Sequence, residues 1–136
     1  MKKILLILSL VFLPATVLLA QDDDTDDGIE NVRDKMAEYI KKRLNLNDAE
    51  AKKFTPAFID YFKEWRKTIK ENKGDNLLLR QKVTELQVRH RNKFREIIGE
   101  SRSNQVFEHQ RKFLQELRDL QKNRHRTNPA RNPRRN

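Results

Sequence analysis

Apolar residues recur along this chain in steps of three and four, and no stretch alternates strictly over the length of a strand. That spacing predicts helices throughout. The widest stripe passes through Ala51, Phe54, Phe58, Tyr61, Phe62, Trp65 and Ile69. Asn47 and Glu50 stand just before it with the spacing of a capping box, in which each side chain answers a free backbone amide of the other residue. Leu46 and Ala51 flank that box as a hydrophobic staple would. The pattern predicts a helix from Asn47 to about Lys73. Pro56 lies inside it, removing one hydrogen bond and crowding the preceding turn. A bend is expected there, because the stripe keeps its phase across the proline. Gly74 is expected to close the helix in a left-handed conformation.

Upstream, Ile29, Val32, Met36, Tyr39 and Ile40 predict a first helix, opened by the pair Asp27 and Glu30 and running to about Leu44. Lys41, Lys42 and Arg43 oppose the negative end of its dipole. Downstream, Asp75 is placed to cap a third helix from Asn76 to about Ile98. Leu78, Leu79, Val83, Leu86, Phe94 and Ile97 face inward, and Gly99 closes it. Ser101 or Ser103 is expected to cap a fourth helix to about Asn123, with Val106, Phe107, Phe113, Leu114, Leu117 and Leu120 as its stripe. The expected fold is all-α over residues 28–123, four helices paired as two antiparallel hairpins with coiled-coil-like seams.

The ends differ in character. Met1-Lys2-Lys3, an apolar run and Ala20 before a polar switch form the pattern of a secretory signal peptide over residues 1–20, cleaved after Ala20. This places the protein outside the cytosol, in the periplasm. Residues 21–27 hold five aspartates and no base, an acidic leader expected to be disordered. Residues 124–136 form a basic tail, also expected to be disordered, with Arg124, Arg126, Arg131, Arg134 and Arg135. The net charge is +10, and losing residues 1–20 would leave +8. With no cysteine, an exported chain of this kind is held by packing and not by disulfides.

Little in the sequence points to catalysis. It has no cysteine nucleophile, no glycine-rich phosphate loop and no pair of carboxylates with a plausible cleft, so no enzyme and no cofactor are expected. His90 and His109 lack metal-ligand spacing, but facing helices could bring them together beside Glu108 as a zinc or copper site. Core packing is the first account of Phe54, Phe58, Tyr61, Phe62 and Trp65. The helix offers more aromatic area than a thin bundle covers easily. The surplus therefore points either to an exposed client surface rimmed by Lys63, Arg66, Lys67 and Lys70, or to burial in a homodimer. Arg80, Arg89, Arg91, Arg95 and the tail suit an anionic membrane surface, a polysaccharide or an acidic protein segment. Export argues against nucleic acid.

Leu46-Asn47-x-x-Glu50 resembles the LTxxQ motif of the Spy/CpxP group of exported helical proteins. Arg43-Leu44-Asn45-Leu46, Glu50-Ala51, Phe54-x-Pro56 and Tyr61 look like the Bacteroidetes-type sensors of ECF-type sigma factor, or periplasmic heavy-metal sensor-like proteins. Lys93-Phe94-Arg95-Glu96-Ile97-Ile98, Gln105-Val106-Phe107-Glu108 and Arg111-Lys112-Phe113 fit the second half of that pattern. Asn47 and Glu50 replace the threonine and glutamine while keeping the capping chemistry, and a second strict LTxxQ is absent. The resemblance, over about residues 29–121, implies an envelope-stress sensor or ATP-independent chaperone that binds unfolded clients or a signalling partner. Two other readings stand beside it, a metal-responsive sensor and a non-catalytic adaptor held on anionic envelope surfaces by the basic tail.

Overall fold

The computed structural model describes residues 26–127, and the side chains of 27–126. Those residues form four helices and, among them, no strand: α1 (Asp26–Arg43), α2 (Asp48–Asn72), α3 (Asn76–Ile98) and α4 (Glu100–Thr127). The expected signal peptide, residues 21–25 of the leader, and Arg131, Arg134 and Arg135 of the tail lie outside the described residues. The chain divides into two compact units after Asp34. In the first, Arg33 on the opening turns of α1 donates to Asp34 at 2.9 Å and to Glu30 at 3.5 Å.

The second unit holds a core built from one face of each helix. Met36, Ala37, Ile40 and Leu44 come from α1, and Phe54, Phe58, Tyr61 and Phe62 from α2. Leu86, His90, Phe94 and Ile98 come from α3, and Ser103, Val106 and Gln110 from α4. Partners ascend along α2 as they descend along α3: Phe54 meets Phe94, Tyr61 meets His90, and Glu64 meets Arg89. Fully burying one such aromatic contributes about 1.5–3 kcal/mol, so the α2 stripe is a principal source of stability.

The connections depart from expectation in instructive ways. The left-handed residue is Asn45 (φ 51°), not Gly74. Leu46 N–H reaches the Lys41 carbonyl at 3.1 Å and Asn45 N–H the Lys42 carbonyl at 3.2 Å, a Schellman closure of α1. After α2, Lys73 remains right-handed and Asp75 N–H bonds the Asn72 carbonyl at 3.1 Å. This turn needs no left-handed residue, because Asp75 immediately caps α3 through Leu77 and Leu78. Neither Ser101 nor Ser103 caps α4. That helix starts at Glu100, with the Gly99 carbonyl accepting from Ser103 N–H, and Ser103 is buried inside it. Gly99 alone separates α3 from α4, and its φ of 83° is one that side-chain-bearing residues rarely adopt.

Two further boundaries shift. Asp27 lies inside α1 and so does not cap it, and the helix takes in the end of the acidic leader. Helix α4 continues to Thr127, so Arg124 and Arg126 are helical. Helix α2 runs unbroken through Pro56, which is exposed. Two residues assigned to inward stripes face solvent, Leu78 on α3 and Leu120 on α4.

Candidate functional site

The aromatic side chains of α2 do not form an open surface. Phe54, Phe58, Tyr61 and Phe62 are 0–2 % exposed, and Trp65 is half-buried against Phe62 at 5.7 Å. The sequence assigned them either to the core or to a client face, and the core holds four of the five. The reason is coverage by α3 and α4, whose Phe94, His90, Phe107 and Gln110 meet Phe54 and Tyr61. Tyr61 is the hub, with ring centroids 5.3 Å from both His90 and Phe107. Its hydroxyl is 2.7 Å from Gln110 Oε1, to which it donates. Burial pushes this phenol up to about 12, against the opposing effect of Gln87 and Gln110.

The motif residues act as the spacing implies. Glu50 N–H donates to Asn47 Oδ1 at 2.8 Å, and Asn47 N–H to Glu50 Oε1 at 3.2 Å. Glu50 also takes the Arg102 guanidinium of α4, with Nη1 at 3.1 Å and Nη2 on the second oxygen. That guanidinium, aided by the Asn47 amide, holds the Glu50 carboxyl below its ordinary value. Nothing in the local sequence singled out Arg102.

His90 is fully buried, between Tyr61 and Phe94, with Nε2 3.2 Å from Glu64 Oε1. Arg89 holds the other Glu64 oxygen. Burial lowers the His90 pKa, and Glu64 opposes that shift. The His109 pKa is lowered too, chiefly by burial and then by Lys112. Among the described residues no group of three or more His, Asp or Glu side chains is placed to hold a metal ion. The Nδ1 atoms of both rings are buried without a partner. Glu108, the carboxylate suggested for such a site, is instead bridged to Lys112 at 2.8 Å.

A different face is open. On α3, Leu77 is 80 % exposed, Val88 44 % and Leu78 39 %; on α4, Leu120 is 59 % exposed. Leu77 and Val88 are eleven residues apart, so they share one side of α3 about 16 Å apart along its axis. Beside Val88 a recess of about 160 Å³ opens between α3 and α4, lined by Thr84, Gln87, Val88, Arg91, Asn104 and Phe107. The Nε of Arg91 is buried there with no hydrogen-bond partner. Such a volume is about half that of the smallest usual ligand pockets, so it suits one protruding side chain and not a cofactor. The sequence held a faint signal: Leu77, Gln81, Thr84, Val88 and Arg91 repeat at four and three residues, a second stripe beside the core stripe.

No family model matches this chain, and neither does any curated protein or solved structure.

Proposed function

We propose that this chain is an exported, non-catalytic helical protein of Spy/CpxP-like type. On this reading its helices pair as two antiparallel hairpins, and the protein works without ATP as an envelope-stress sensor or chaperone. It binds an unfolded client or a signalling partner through an apolar, basic-rimmed face. The capping box at Asn47 and Glu50, at the motif position, supports the affiliation.

The observation that carries the binding reading is the α3 face: exposed Leu77 and, about three turns on, Val88 at a recess lined also by Arg91, whose buried Nε has no partner. Exposed apolar side chains bordered by Arg80, Arg91 and Arg95 suit chain segments that offer an apolar residue next to a carboxylate. The interface therefore moves from α2, where the aromatics are spent on the core, to α3 and its contact with α4.

The test is suppression of aggregation of a denatured test protein by the exported form. Val88→Glu with Leu77→Glu should weaken suppression severalfold at unchanged helicity, because both positions are exposed. Absence of suppression by the unaltered protein at several-fold molar excess removes the chaperone reading. Full suppression by the double variant removes the α3 face as its site.

A further inference from the structure

Helix α4 carries a second feature that the client-binding reading neither uses nor requires. Arg111, Arg118, Lys122 and Arg126 follow one another at seven, four and four residues. At 100° per residue they project within about 80° of each other, along about 22 Å of axis. On average this line lies about 120° round the helix from the buried Ser103, Val106 and Gln110. All four are exposed, and none is held in an ion pair among the described residues. Two of the helix's acids are occupied elsewhere, Glu108 by Lys112 and Glu116 by Tyr39 and Arg43.

The far end of α4 gains little from the rest of the chain. Every residue from Arg118 to Arg126 is exposed, although the stretch is helical. A helix that is polar all round needs opposite-charge pairs one turn apart or support from outside. Here Asp119 and Lys122 are the one opposite-charge pair at such spacing, and they are not joined in an ion pair, whereas Arg118 with Lys122 and Lys122 with Arg126 are like-charged pairs, which destabilise a helix. An anionic surface would turn this repulsion into attraction. No acid follows Asp119, so the sequence continues the same sign through Arg131, Arg134 and Arg135.

We propose that this outward strip of α4 is a docking surface for an anionic phospholipid bilayer. A straight row of cations about 22 Å long can meet a flat charged surface all at once, without ordering its partner. Single-stranded nucleic acid fits less well, because Phe113, the one aromatic within the strip's span, is turned away from it against Tyr39 and no Phe, Tyr or Trp follows to stack on a base. Binding is electrostatic and superficial. The site is the helical strip, with the tail as an auxiliary.

The exported form should co-sediment with vesicles of mixed phosphatidylglycerol and phosphatidylcholine, and not with pure phosphatidylcholine. Added salt should release it. Each surface cation is worth about a fivefold change in partitioning. The triple variant Arg118→Gln, Lys122→Gln, Arg126→Gln should therefore partition roughly a hundredfold less. Its circular dichroism without vesicles should keep the bulk of the helical signal, and vesicles should raise helicity in the unaltered protein alone. Equal partitioning of the triple variant and the unaltered protein overturns the proposal. So does complete loss of binding in Arg131→Gln, Arg134→Gln, Arg135→Gln with the strip intact. Tighter binding to single-stranded RNA than to the vesicles at the same salt would reassign the strip to nucleic acid.

Discussion

Phe58, about three turns into α2, and Leu77, in the first turn of α3, are both large apolar residues of a helix opened by an Asn or Asp cap, yet Phe58 is 0 % exposed and Leu77 80 %. Local chemistry does not separate them. Neighbours do: Phe58 touches Phe54, Tyr61 and Phe62, rings that α3 and α4 meet through Phe94, His90 and Phe107, whereas Leu77 lies beyond the core residues of α3. A hydrophobic stripe identifies the side of a helix that can be covered. How far along the helix that cover reaches depends on the lengths and crossings of the other three. On the proposed reading, the uncovered positions are the ones a partner would meet.

The strongest break of this contrast is Phe58→Ala. Truncating a fully buried aromatic costs about 3–5 kcal/mol, so denaturant unfolding should show a midpoint far below that of the unaltered protein. A loss under about 1 kcal/mol would mean that the core is looser than its burial implies.

A second test uses His90, which lies inside the same layer. Burial depresses its folded pKa, while in the unfolded chain it titrates near about 6.5. The neutral ring is therefore favoured by folding. Its contribution is complete above about pH 6.5 and is lost as pH falls toward the lower folded value. His109 shifts in the same direction. The unfolding midpoint should be flat above about pH 6.5 and drop on mild acidification, and His90→Gln should reduce the drop. A midpoint that rises on acidification would contradict a buried neutral ring.

The smallest effect belongs to Leu77→Gln, expected to change stability by less than about 0.5 kcal/mol. The same change should measurably lower aggregation suppression if the α3 face binds clients. A large stability loss would show that Leu77 is covered in solution, by a second copy for example.

Much of this was legible in the residues. Asn47, Glu50 and Asp75 announced their caps, because capping depends on spacing within a single turn. The α2 stripe and the inward positions Met36, Leu86, Phe94 and Val106 followed from period alone. Contacts between residues far apart in sequence were not legible. Arg102 closing on Glu50, and Tyr39 set edge-on to Phe113 at 5.5 Å with its hydroxyl on Glu116 at 2.8 Å, join positions 52 to 77 residues apart. Helix ends also escaped where backbone closure replaced a side-chain signal. Asn45 supplies the left-handed residue that glycine usually provides, and Gly99 begins α4 without a serine cap. The α2 aromatics went to the core for a related reason. Period could rank α2 as the most apolar helix, but the count of helices leaning on it arises only when the chain is assembled.

Glu50 has one further consequence. Its two oxygens close the opening turn of α2 and grip Arg102 near the beginning of α4, so these helix starts cannot fray independently. Amide protons in both places should exchange with solvent as one unit, and losing this single carboxylate should release them together. One carboxylate of a capping box would thus synchronise the breathing of two segments 52 residues apart.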